Sequence, residues 1–152
     1  MMLATLCYIK KDSRTLMVHR NKKPDDMHAG KWNGLGGKFE PGESPEECVL
    51  REVREESGLH IRDPRLAGLL MFPGFKGDDW YVFVFTARDF EGALIDSPEG
   101  ELAWVPDQEL ASLNLWESDH IFFPWLDGEK VFTAKFIYAG DRLQSYQVNF
   151  YP

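Results

Sequence analysis

Gly37-Lys38-Phe39-Glu40-Pro41-Gly42-Glu43-Ser44-Pro45-Glu46-Glu47-Cys48-Val49-Leu50-Arg51-Glu52-Val53-Arg54-Glu55-Glu56-Ser57-Gly58-Leu59 holds one sharply bounded helix, and the turn Gly34-Leu35-Gly36-Gly37 feeds into it. Pro41-Gly42 marks a turn. Ser44 suits the N-cap, Pro45 the first helical position, and Glu47 closes a capping box; Gly58 supplies the stop. At about 100° per residue, Val49, Leu50 and Val53 form an apolar flank, with Glu52, Glu55 and Glu56 about 110° away. Those three carboxylates, at i, i+3 and i+4, share one turn. One reading is a face that wants a cation. The other is a solvated ladder, because Glu47, Arg51 and Glu55 at i, i+4 and i+8 make ion pairs worth a few tenths of a kcal/mol each. The helix alone leaves both open.

The flanking segments read as strands. Leu3 to Ile9, a turn at Asp12-Ser13 and Thr15 to His19 predict an N-terminal hairpin. Asn21 to Gly30 has no apolar period and reads as a loop, with Arg20, Lys22, Lys23 and Lys31 standing out as candidate phosphate contacts in an acidic chain. Arg65 to Phe72 and Trp80 to Ala87 predict an antiparallel pair joined by residues 73–79. After the acidic loop Asp96 to Glu101, a short helix over Pro106 to Leu113 capped near Asp107 and another over Trp116 to Leu126 are expected. Val131 to Tyr138 and Leu143 to Tyr151 close as a hairpin turned at Gly140-Asp141. Strands on both sides of one long helix imply an α+β fold in a single domain over residues 1–152. The glycines of the turn match neither common phosphate motif: Phe39 stands where a dinucleotide fingerprint needs glycine, and Trp32 where a P-loop does.

Composition narrows the function. Hydrophobic content of 43% over 152 residues is enough for a full core and argues against disorder. A net charge of −8 disfavours a nucleic acid polymer as partner, while a small phosphorylated substrate requires cations and local basic residues to offset repulsion. Cys7 and Cys48 have no pairing or metal spacing and read as buried thiols. Lacking a basic leader or a long apolar run, the chain is expected to be cytoplasmic and away from membranes.

Gly37, Glu43, Arg51, Glu52, Val53, Glu55, Glu56, Gly58 and Leu59 match the Nudix box G-x5-E-x7-R-E-U-x-E-E-x-G-U, U being aliphatic, without mismatch. The chain therefore resembles the Nudix hydrolases, whose fold is a mixed β-sheet in an α/β/α sandwich. Gly30-Lys31-Trp32-Asn33-Gly34, Trp104-Val105-Pro106 and Trp116-Glu117-Ser118-Asp119 further resemble MutT-type hydrolases of oxidised purine nucleotides. The resemblance implies Mg²⁺, with Mn²⁺ able to substitute, held by Glu52, Glu55, Glu56 and a carbonyl of Gly36 or Gly37. Glu52 serves as ligand or base, and Arg51 orients the carboxylates. Glu99, five residues before Trp104, aligns with the distal acidic ligand or base, and Glu101 is the runner-up. Lys23 would meet phosphate, while Asn33, Trp116 and Asp119 would meet the base. The implied substrate is a small nucleotide such as 8-oxo-dGTP, and the implied assembly is a monomer or homodimer. Ser118-Asp119 departs from the paired aspartates of the human-type pattern. Two other readings are a Nudix pyrophosphatase for another nucleoside or dinucleoside polyphosphate or related X-diphosphate, and a non-catalytic nucleotide-sensing module.

Overall fold

The computed structural model describes the whole chain, Met1–Pro152. In chain order the elements are β1 (Met2–Lys11), β2 (Arg14–His19), β3 (Trp32–Asn33), α1 (Pro45–Ser57), β4 (His60–Arg62), β5 (Arg65–Phe75), β6 (Asp78–Ala87) and β7 (Asp89–Glu91). They are followed by β8 (Glu101–Pro106), α2 (Glu117–Phe122), β9 (Val131–Ala139) and β10 (Arg142–Tyr151), with 3-10 turns at Asp107–Ser112 and Phe123–Trp125. One mixed sheet runs in the order β10-β9-β5-β6-β1-β2-β3, with β8 pairing β2; β1 is parallel to β6 and β5 to β9.

Strand β1 organises both layers. Because side chains alternate, Cys7 and Ile9 enter the core beneath α1, formed with Val49, Val53 and Leu59, whereas Tyr8 enters the opposite core with Leu70, Phe122, Phe132 and Phe136. Beyond the hairpin, β2 leaves β1. The two pair only at Lys10↔Thr15 and Lys11↔Arg14, and β2 goes on to pair with β8 and β3. The glycine turn takes the vacated place, through bridges Cys7↔Leu35 and Ala4↔Lys38.

Helix α1 begins and ends as its sequence demands. Ser44 accepts from the Glu47 amide, Glu47 accepts from the Ser44 amide, and Gly58 ends the helix in the left-handed region. Its buried residues are Cys48, Val49, Val53, Glu56 and Ser57, whereas Leu50 is 40% exposed, contrary to the predicted apolar flank. The buried stripe is rotated toward the carboxylates, so Leu50 falls off its other edge.

Several boundaries differ for local reasons. Strands β5 and β6 extend through Phe75 and from Asp78, leaving only Lys76-Gly77 as the turn. The segment after Pro106 is a 3-10 turn without a side-chain cap; Asp107 instead accepts from the Thr15 hydroxyl at 2.7 Å. Pro124 has no amide to donate, and α2 passes into a 3-10 turn there. The β4–β7 pair was not foreseen, since three charged-rich residues on each side carry no periodic signal. No helix is long and apolar enough to cross a membrane.

Replacing Ser44 with Ala removes one half of the capping box and is expected to destabilise the protein by about 1 kcal/mol. Thermal unfolding should show a midpoint lower by about 2–4 °C; an unchanged midpoint would refute an energetic role for the box.

Candidate active site

The glycine turn fits between β1 and α1 because it lacks side chains. Gly36 has φ +151°, and a β-carbon there would collide with the Thr5 carbonyl oxygen. At Gly37 a β-carbon would lie 2.6 Å from the Glu52 carboxyl group. The turn can thus touch both strand and helix. The Gly36 amide points at the Glu56 carboxylate, 3.2 Å from Oε2 and 3.4 Å from Oε1. Thr5 donates its amide to the Gly37 carbonyl at 2.9 Å, which leaves the Gly36 carbonyl as the one not committed to the strand.

Arg51 ties the same turn to the helix. Its Nε and Nη2 donate to the two oxygens of Glu43 at 2.6 and 2.9 Å, its Nη1 to Glu52 at 2.8 Å, and its Nη2 to the Lys38 carbonyl at 3.0 Å. This bidentate pair holds the Glu43 carboxyl down at about 2. Glu47 is spent on the capping box, so the expected ladder through Glu47 does not form.

The helical carboxylates separate. Glu52 and Glu56 line a cleft, while the Glu55 side chain is 58% exposed, bonded to Arg51 at 3.2 Å and turned outside it. Glu55 lies about 60° further round the helix than Glu52, away from the buried stripe. Arg51 also stays outside the cleft. Burial and the charge of Glu52 push the Glu56 carboxyl well up, with the Gly36 amide opposing and Glu99 adding repulsion.

Glu99 lines the facing wall, where Lys23 donates to it at 2.8 Å and Arg20 pairs with it at 3.2 Å. Lys22 lashes its loop to Asp96 and the Ser97 carbonyl, both at 2.6 Å. Glu101 is exposed in register with His19 and stays outside the cleft. No three acidic, histidine or cysteine side chains stand in metal-ligating geometry. The donor set nevertheless suits a hard cation, because Glu52, Glu56, Glu99 and the Gly36 carbonyl are all oxygen groups and Glu56 has no cationic partner of its own.

The opposite end of the cleft, which totals about 580 Å³, is lined by Asn33, Trp116 and Asp119 with Leu70, Phe72 and Trp80. Burial raises the Asp119 carboxyl to about 7, against the charge of Lys31 and a hydrogen bond from Ser118. The Ser118 amide is held by the Tyr138 hydroxyl at 2.9 Å. Carboxylates and base-sized apolar walls therefore share one cavity.

The model of the NUDIX domain matches residues 2–126. The chain belongs to the Nudix hydrolase family. An uncharacterised Nudix hydrolase of Bacillus subtilis is 31% identical, over 95% of this chain and 92% of its own length. The oxidised purine nucleoside triphosphate hydrolase of Danio rerio is 32% identical over 91% and 87%. The mutator MutT protein of Bacillus halodurans superposes with a TM-score of 0.88 at 30% identity, covering 98% of each chain. As a Nudix hydrolase the protein cleaves phosphoanhydride bonds, and enzymes of this family generally use divalent metals.

Sequence reading missed one participant in the Nudix cleft and the connections of another. Arg20 was one of four basic candidates for phosphate contact, and the fold joins it to both Glu99 and Asp26. His28 carried no signal, and it accepts the Trp116 indole N–H at 2.8 Å. Neither belongs to a periodic element, so only the folded loop brings them in.

The Asp119 shift has a direct thermodynamic consequence. Between about 3.8 and about 7 the native state holds a proton that the unfolded chain has released, so stability falls across that window as pH rises. Asp119→Asn should therefore be the more stable protein at pH 8 and lose that advantage by pH 4. Urea denaturation at both values measures it, and a less stable Asn variant at pH 8 would contradict the burial argument.

Proposed function

We propose that this Nudix hydrolase, acting as one domain over residues 1–152, hydrolyses nucleoside triphosphates to the monophosphate and pyrophosphate. The substrate is an oxidised purine nucleotide such as 8-oxo-dGTP, and the cofactor Mg²⁺, with Mn²⁺ able to substitute. The observation that carries this reading is that Glu52, Glu56 and Glu99 share a single cleft with Asn33, Trp116 and Asp119. Glu52, Glu56, Glu99 and the Gly36 carbonyl would hold the cation; Glu55 would reach it only by turning inward. When bound, it supplies neutralisation of phosphate charge and a more acidic water.

The chain's own groups do the rest. Arg51 fixes Glu52 as ligand or base. Lys23 and Arg20, which face Glu99 from the substrate side of the cleft, neutralise phosphate charge once Glu99 has another partner. Asn33 offers an amide donor and acceptor to the base edge, and Trp116 supplies an aromatic face. Asp119, with its carboxyl near 7, either donates or accepts at neutral pH and can match a purine edge in either proton arrangement. The Danio rerio relative, named for oxidised purine nucleoside triphosphates, supports this substrate class.

Two measurements test the reading. Glu56→Gln should keep the fold and lose most turnover at saturating Mg²⁺; unchanged activity would remove Glu56 from the reaction. Across 8-oxo-dGTP, dGTP and dinucleoside polyphosphates, kcat/KM should favour the oxidised nucleotide by more than about tenfold, or about 1.4 kcal/mol. A smaller ratio would place the substrate elsewhere in the family's range.

A further inference from the structure

The loop between β2 and β3 forms a chain of polar contacts across the cleft. Glu99 pairs with Arg20 Nη2 at 3.2 Å, and Arg20 Nε donates to Asp26 Oδ2 at 2.7 Å. The other Asp26 oxygen accepts the His28 amide at 3.0 Å, and His28 Nδ1 accepts the Trp116 indole N–H at 2.8 Å. The Arg20 and Asp26 side chains are only 15% and 5% exposed, so solvent screens this pair little. The two aromatic rings of His28 and Trp116 stand edge to face at 86°, with centroids 5.9 Å apart.

A buried indole N–H needs an acceptor, and it has this one. The acceptor is dependable because burial and the charge of Arg20 push the His28 imidazole down to about 4, so the ring is neutral at neutral pH, and the indole N–H aimed at Nδ1 selects the tautomer with its proton on Nε2. The rest of the indole meets Phe75 and Tyr138, edge-on at 5.2 and 5.8 Å, and the Lys31 and Lys76 ammonium groups over its ring at 5.0 and 5.8 Å, contacts less directional than a hydrogen bond in fixing its side-chain torsions. A directional bond can fix them.

We propose that His28 is a positioning residue for nucleotide binding, which holds the Trp116 indole in the orientation used against the base and joins it through Asp26 and Arg20 to Glu99. This rests on the reading of Trp116 as a base-contacting residue. His28 itself need not touch the base. Its contribution is made before substrate arrives, by sparing the ordering of Trp116 on binding.

The test compares His28→Leu, which lacks the acceptor, with His28→Gln, which keeps one, each in the Trp116 and Trp116→Phe backgrounds. Indole N–H proton resonances are recorded by NMR, Trp116 being assigned by its loss in Trp116→Phe, and KM and kcat are measured for 8-oxo-dGTP and dGTP. The expected result is an upfield move of the Trp116 resonance in His28→Leu and a rise in KM of about fivefold, with kcat within about twofold. His28→Gln should recover most of both. In Trp116→Phe, which has no N–H to donate, His28→Leu should add nothing further.

An unmoved Trp116 resonance in His28→Leu overturns the proposal whatever the substrate. So does an equal rise in KM in both backgrounds, or a fall in kcat alone. Trp116→Ala separates the two levels. If it leaves KM unchanged, the base-contact reading falls and this proposal with it; if it raises KM while His28→Leu does not, only the positioning role falls.

Discussion

The site depends on the gap that opens beside β1 when β2 turns away. A ten-residue strand with two buried faces cannot leave its edge groups unpaired, and the glycine turn supplies the partners that β2 withdraws. Side chains at Gly36 or Gly37 would strike Thr5 or Glu52, so the turn must be bare there. Once seated, it puts the Gly36 amide against Glu56, and Asn33 just before it lines the same cleft. Helix α1 docks with Val49 and Val53 in the core and Glu52 and Glu56 lining the cleft.

Electrostatics explain how an acidic chain tolerates this arrangement. Glu43 and Glu52 are paired with Arg51, and Glu99 with Arg20 and Lys23, so each of these carboxylates has a guanidinium or ammonium beside it. Glu56 is the exception. It is buried, faces Glu52 and Glu99, and meets only an amide, which is why its carboxyl is driven upward. A group so placed would gain more from an added cation than its neighbours would.

Much of this was legible in the sequence because it is written in local rules. Ser44, Pro45, Glu47 and Gly58 determine α1 within one turn at each end, and Gly140-Asp141 marks the last hairpin where it occurs. Of the candidate site residues, Glu52, Glu56, the glycine turn, Glu99, Asn33, Lys23, Trp116 and Asp119 all line one cleft. Spacing could not show that Glu55 and Leu50 would face outward, because the rotation of a helix is decided by what it packs on. The β4–β7 pair was hidden by its brevity, and Pro124 shortened α2 through a backbone rule that an aromatic-rich segment disguised. His28 illustrates the largest gap: its place comes from a loop with no period to read.

The make-up of the cleft has an evolutionary corollary. On the proposed reading, the groups that would handle the phosphates come from α1, the glycine turn and the loops that carry Lys23 and Glu99, and those that would face the base come from β3, α2 and the strands, all around one cleft. On that reading, substitutions at Ser118, Asp119 or Phe72 would redraw which nucleobase is admitted without touching Glu52 or Glu56. A scaffold arranged in this way can diversify in recognition while its chemistry stands still.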